Sequence, residues 1–235
     1  MSRSSAASSR ASSSSASTCR RALGGLRRRD LERATRRVIH AGRGLQSSVF
    51  EVEWSGCRAA VKDFSRSPRW FRLLVAPLLA AREAAALKHL DGLSCVPAFY
   101  ARIDRVSFAM ELIEGTPLDT FARGELAPEA FARVQAAIDA VHERGVSHCD
   151  LKRRSNLLLT PGGDIVLIDF AAAIIGRRPG RFLLNWLQRE AAEVDDKSVP
   201  RLKKFVAPEL LTEADQRKLD HPTRLEKWAR QLLNR

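Results

Sequence analysis

The sequence predicts an α+β chain of two lobes: a small N-terminal antiparallel sheet with one helix, followed by a short, mainly helical C-terminal lobe. Three observations predict it. Apolar residues make up 45% of the 235 and charged residues 29%, enough to bury a core and too apolar for wholesale disorder. Strand-like runs with one strongly helical stretch fill the first half, and helical periodicity dominates the second. Glu114-Gly115-Thr116-Pro117 breaks the chain between them.

The elements follow in order. Residues 1–20 hold ten Ser, four Ala and three Arg with no acid, so residues 1–37 read as a disordered Ser/Arg-rich leader. A transit peptide has a similar bias, whereas a secretory signal needs an apolar segment that is missing here. Val49, Phe50, Val52 and Trp54 read as a strand, Ser55-Gly56 as a turn, and Ala59-Ala60-Val61-Lys62 as the returning strand. Residues 78–90 carry strong helix formers that stop at Asp91-Gly92. Val106 to Leu112 reads as a strand. Pro128 to Arg144 reads as an amphipathic helix with Phe131, Val134, Ile138 and Val141 inward and Gly145 as its stop. Leu157–Leu159 and Ile165–Ile168 flank a Pro-Gly-Gly-Asp turn as a hairpin, and the chain beyond 180 is helical and basic. Pro208, within Ala207-Pro208-Glu209, reads as a helix start. The domain plan is therefore a leader (1–37), a core (38–175, with its first lobe at 38–113 and its second from 114) and a basic C-terminal extension (176–235).

Charge and cysteine narrow the function classes. The formal net charge is +13. Residues 1–37 hold ten Arg and two acids, residues 38–175 hold 16 basic and 16 acidic residues, and residues 176–235 hold 14 and nine. A neutral core and few aromatics for base stacking argue against a nucleic-acid binder and leave the flanks to meet an anionic surface. Four scattered cysteines without C-x-x-C predict neither disulfides nor zinc, and suit a reducing, cytoplasmic setting. Trp70–Ala81 is too short and interrupted to span a bilayer. Trp70–Val75 and the basic, apolar stretch Arg177–Leu187 fit either packing onto the lobes or a peripheral contact with anionic membrane, at its inner face.

Five features carry chemistry. Gly42, Gly44, Ser47 and Val49 fit G-x-G-x-x-S-x-V between two strands, where bare backbone could approach phosphate, or simply turn. Lys62 closes an apolar strand, either as a solvated edge lysine or as a phosphate ligand. Glu83, 21 residues on, is a solvent-facing helix charge or the partner of Lys62. His148-Cys149-Asp150 through Asn156 is a polar loop in which Asp150 could serve as a general base and Asn156 could offer an oxygen to a hard cation. Asp169 ends the apolar strand Ile165–Ile168, where an acid needs a partner or a metal.

In this order and spacing the features resemble the protein-kinase-like phosphotransferases, over roughly residues 38–175. Among these the chain is most similar to compact RIO-type atypical kinases and bacterial lipopolysaccharide core kinases, through Ser47, Lys62-Asp63-Phe64 and the short C-terminal half. The resemblance implies a two-lobed kinase-like fold. It implies ATP held by the Gly42–Val49 loop and by a hinge at Glu111 and Ile113, Lys62 on the phosphates, and Glu83 fixing Lys62. Mg²⁺ or Mn²⁺ would sit on Asn156 and Asp169, and Asp150 would be the base. The acceptor would be a Ser/Thr hydroxyl of a protein or a sugar of a glycolipid. A nucleotide-binding pseudokinase scaffold and a basic nucleic-acid binder are the alternatives. Three departures bear on this. Cys149 stands where the family has Arg, which speaks against control by loop phosphorylation. Asn156 falls one residue late, so that Ser155 competes for its place. Ala171 replaces Gly after Asp169-Phe170, which should stiffen that segment.

Overall fold

The computed structural model describes residues 13–176, 180, 182–224 and 227. The chain forms two compact units, Met1–Glu114 and Gly115–Arg235.

The first unit is built on a five-stranded antiparallel sheet. Helix α1 (Ser13–Leu23) and the single turn α2 (Leu31–Ala34) lead into β1 (Thr35–His40), β2 (Ser48–Trp54) and β3 (Cys57–Asp63). Helices α3 (Arg69–Leu74) and α4 (Ala76–His89) follow, then β4 (Phe99–Arg102) and β5 (Ser107–Met110), in sheet order β1-β2-β3-β5-β4. The β2–β3 turn places Ser55 and Gly56 both at positive φ, 50° and 77°, the twist that a tight two-residue hairpin requires. Register pairs Phe50 with Val61 and Val49 with Lys62, so alternate residues of β3 face opposite sides of the sheet. Val61, Ala59, Phe50 and Val52 join one apolar cluster.

That cluster corrects the disordered leader. Leu23, Leu26, Leu31 and Ala34 are buried in it, against Val52, Val61 and Tyr100. Arg28 forks onto Asp63 at 2.7 and 2.9 Å and reaches Asp104 at 2.7 Å. Arg20 donates to the Phe99 carbonyl at 2.9 Å and pairs with Asp91. The Ser/Arg bias hid four well-spaced apolar residues, and Arg20 and Arg28 are anchors rather than solvating charge. Residues 1–12 lie outside the described residues. The expected single N-terminal helix is likewise joined by α1 and α3. The cysteine expectation is corrected too: Cys19 on α1 and Cys57 on β3 are joined as a disulfide, with Cα atoms 5.5 Å apart. They are 38 residues apart in sequence, and only the packing of α1 over β3 brings them together.

In the second unit β6 (Thr116–Pro117) precedes α5 (Pro128–Glu143), whose Phe131, Val134, Ile138 and Val141 are all buried as the stripe requires. Then come β7 (Val146–Ser147), β8 (Leu157–Leu159), β9 (Ile165–Leu167) and β10 (Ile174–Ile175). β6, β8 and β9 form a three-stranded sheet, and β7 pairs with β10. Helices α6 (Phe182–Asp195), α7 (Ser198–Val206) and α8 (Glu213–Asp220) follow, with Pro208 opening a 3-10 turn after α7.

Candidate active site

In the first unit the sheet decides the position of Lys62. β3 lies between β2 and β5, so Lys62 is no edge lysine. Its side chain is 5% exposed and its Nζ lies 2.7 Å from Glu83 Oε2, itself 1% exposed. Glu83 sits on the inner face of α4 beside Ala80, Ala84 and Leu87. Both charges have left water, and their pairing offsets part of that cost. Asp63, next along β3, would be pushed up by burial, but the Arg28 fork and Ser65 outweigh this and hold it below the ordinary carboxylate range. Arg28 is correspondingly raised, chiefly by its hydrogen bond to Asp63.

The loop from Gly42 to Ser47 joins β1 to β2. A Cβ at Gly42 would overlap the Ser47 carbonyl oxygen, and Gly44 has φ +61°. The loop is thus a folded turn, with Gly42 N–H donating to Ser48 Oγ at 3.2 Å and Gln46 N–H to the Arg43 carbonyl at 3.1 Å. Val49 follows on β2 opposite Lys62. At the expected hinge, Glu111 is buried and clamps Ala98: its N–H donates to the Ala98 carbonyl at 2.8 Å and its Oε2 accepts from Ala98 N–H at 3.1 Å. Ile113 follows two residues on, half-buried.

In the second unit the chemistry gathers around the loop after β7. His148 is fully buried, its ring 4.5 Å from that of Phe170. Its Nε2 lies 2.8 Å from the Ile168 carbonyl, and its Nδ1 accepts from Asp150 N–H at 3.3 Å. One nitrogen donates and the other accepts, which describes a neutral imidazole. Burial lowers its pKa, against the opposing pull of Asp195, Asp169 and Asp150. Cys149 is held at φ 68°, an uncommon conformation for a side-chain-bearing residue. Asp195, buried at the end of α6, accepts from His148 N–H at 2.6 Å and from Cys149 N–H at 2.9 Å, fixing that backbone.

Asp150 is half-buried, and its Oδ2 lies 3.2 Å from Arg153 Nε. Asn156, buried at the end of a 3-10 turn, donates through Nδ2 to the Asp150 carbonyl at 3.0 Å and lies 3.5 Å from its Oδ2. It is the Asn156 side chain that reaches Asp150. Asp169 has φ 66° and caps the 3-10 turn Phe170–Ala172. The left-handed residue is therefore Asp169 itself and not its second successor, so alanine at 171 sits in ordinary backbone.

Asp195, Arg153 and Arg28 were missed from the sequence. Asp195 lay in a stretch read only as helical and basic, and the one available signal was an acid near the end of an amphipathic helix.

Residues 36–229 match the protein kinase domain family. The chain is a protein kinase domain. The match continues across most of the basic stretch read as an extension. Three relatives are similar over part of the chain. Serine/threonine-protein kinase PknH of Mycobacterium bovis is 31% identical over 146 residues, 56% of this chain and 23% of that protein. Serine/threonine-protein kinase PknD of Mycobacterium tuberculosis is 33% identical over 147 residues, 59% of this chain and 22% of that protein. CBL-interacting serine/threonine-protein kinase 20 of Arabidopsis thaliana is 40% identical over 76 residues, 30% of this chain and 17% of that protein. The chain thus spans less than a quarter of the length of these relatives. Their names place them with serine/threonine kinases and lend no support to the narrower RIO-type or lipopolysaccharide-kinase resemblance. Among the described residues no helix of this kinase domain is long and apolar enough to cross a membrane.

Proposed function

We propose that this kinase domain transfers the γ-phosphoryl group of ATP to a Ser or Thr hydroxyl of a protein. The observation that carries the reading is the buried Lys62–Glu83 pair at 2.7 Å. A lysine inside a central strand, with a glutamate from a helix spent on holding it, is costly as mere structure and suited to orienting phosphates. The serine/threonine-kinase names of the relatives favour a protein hydroxyl over a sugar as acceptor.

Each residue then has a task. Lys62, directed by Glu83, pairs with the phosphates. The peptide groups of Gly44, Leu45 and Ser47 cover them, since the Gly42 and Gln46 N–H groups are engaged by Ser48 and Arg43, and Val49 and the Glu111–Ile113 segment flank the base. Asp150 accepts the proton of the acceptor hydroxyl as its oxygen bonds to the γ-phosphorus and the bond to the bridging oxygen breaks, releasing ADP. Asn156 and Asp169 bring one amide and one carboxylate, the hard oxygen donors that Mg²⁺ or Mn²⁺ takes when phosphates supply the rest. Among the described residues no group of three His, Cys, Asp or Glu is assembled for a metal by itself, which fits that division. A cation held there would neutralise charge on the phosphates. Neutral His148 and anionic Asp195 position the loop without touching substrate.

The test is transfer of radiolabel from ATP to protein acceptors, with lipid extracted separately. Label in protein that disappears in Lys62→Met and Asp150→Asn is expected. Stabilisation of the fold by ATP with no transfer to any acceptor would instead make the domain a nucleotide-binding scaffold.

A further inference from the structure

The segment between the Lys62 strand and the Glu83 turn of α4 presents an apolar face that the domain does not use. Trp70, Leu73 and Leu74 occur at i, i+3 and i+4 on α3 and are 56%, 60% and 69% exposed; Leu78, in the first turn of α4, is 69% exposed. The face is fixed from beneath rather than loose. Phe71 is buried, its ring 6.3 Å from Phe64 and edge-on to Trp70 at 5.7 Å. Arg72 donates to the Ser65 carbonyl at 3.0 Å.

Charge identifies the occupant. From Phe64 to Arg82 the sequence holds four arginines (66, 69, 72 and 82) and no acid. Arg66, Arg69 and Arg82 are exposed, and Arg66 lies over the Phe50 ring at 5.6 Å. A second copy of this chain seated symmetrically on the same face would set these arginines against their own copies, with no acid in the segment to answer them. An anionic lipid surface answers both features at once. Its head groups take the arginines, its acyl boundary takes the leucines, and a tryptophan belongs at the level between.

We propose that α3 and the first turn of α4 form a peripheral docking surface for anionic membrane. The proposal does not depend on phosphoryl transfer. It is tested by flotation of the full chain with vesicles of phosphatidylcholine alone or mixed with phosphatidylglycerol. Expected is flotation with the mixed vesicles only, weakened by salt, and lost at least tenfold in the Leu73→Asp, Leu74→Asp double variant. Both leucines are exposed, so the variant should melt at the wild-type temperature. Should it fail to fold, Arg69→Glu, a surface change, is expected to lower flotation several-fold. Absence of flotation, equal flotation on neutral vesicles, or undiminished flotation of these variants, as binding through the basic C-terminal stretch would give, overturns the proposal. So does a dimer in solution that the double variant dissociates.

Discussion

The two units hold their candidate residues by opposite physical means. In the first unit one buried ion pair does the holding: Lys62 and Glu83 meet at 2.7 Å across elements 21 residues apart. In the second unit a web does it, with Asp195 gripping two successive backbone N–H groups, neutral His148 braced between Ile168 and Asp150, and Asn156 tied back to Asp150. A pair has two members and fails when either goes. A web distributes its load, so the loss of one strand shifts the rest. The difference predicts how each half breaks.

The largest effect belongs to Asp150, which the web presents but does not consume. Asp150→Asn should lower the rate of transfer about a hundredfold or more, the usual worth of a general base. ATP-induced stabilisation and the melting temperature should stay near wild type. Steady-state kinetics beside thermal melts measure both, and loss of the fold would show that Asp150 serves the web after all.

Next is the pair. Glu83→Gln removes the carboxylate 2.7 Å from the buried Lys62 ammonium and should cost about 3–5 kcal/mol in denaturant unfolding. Replacing both members, Lys62→Met with Glu83→Leu, should recover most of that stability while transfer stays abolished. If the double variant is as unstable as the single one, the pair is embedded in a web of its own and the contrast between the halves fails.

Asp195 is the corresponding test in the second unit. Asp195→Asn turns one of two acceptors into a donor facing an N–H, at about 1–3 kcal/mol. Transfer should fall through the maximal rate rather than through the apparent affinity for ATP. No second substitution should restore the contacts to His148 and Cys149, because those partners are backbone N–H groups, whereas the third contact of Asp195, to His142 Nε2 at 3.3 Å, is with a side chain.

The same contrast explains what was legible in the sequence. Gly42–Val49, Lys62, Glu83, His148–Asn156 and Asp169 are motifs whose residues sit at fixed spacing, and each could be read with a role. The hairpins were legible because Ser55-Gly56 and Pro161–Asp164 state their turns locally. Asp195 could not be read, since its partners His142, His148 and Cys149 lie 53, 47 and 46 residues earlier and nothing near it marks the contact. The segment from Ser13 to Ala34 failed for a related reason. Its composition is that of a disordered chain, yet a few leucines at suitable spacing suffice when a sheet face waits to be covered. Leu26→Ala, fully buried there, should cost about 2–5 kcal/mol, which a dispensable leader would not.

The smallest effect is a pH dependence that only the second unit should show near neutrality. Burial lowers the pKa of His148, while in the unfolded chain the imidazole titrates near its ordinary value of about 6.5. Below that pH the unfolded state takes up a proton that the folded state refuses, so folding stability should decline as pH falls, by at most one proton's slope. Above it both states are neutral and the contribution is flat. Asp63 in the first unit is also lowered, but from an ordinary value near 4, so its loss begins only in that more acid range. Denaturant unfolding between about pH 7 and 5 separates them, since ordinary histidine and aspartate values bracket that window. His148→Asn should flatten the curve there. A wild-type curve already flat over this range would mean that His148 is not buried as a neutral ring, and the brace it forms between Ile168 and Asp150 would have to be abandoned.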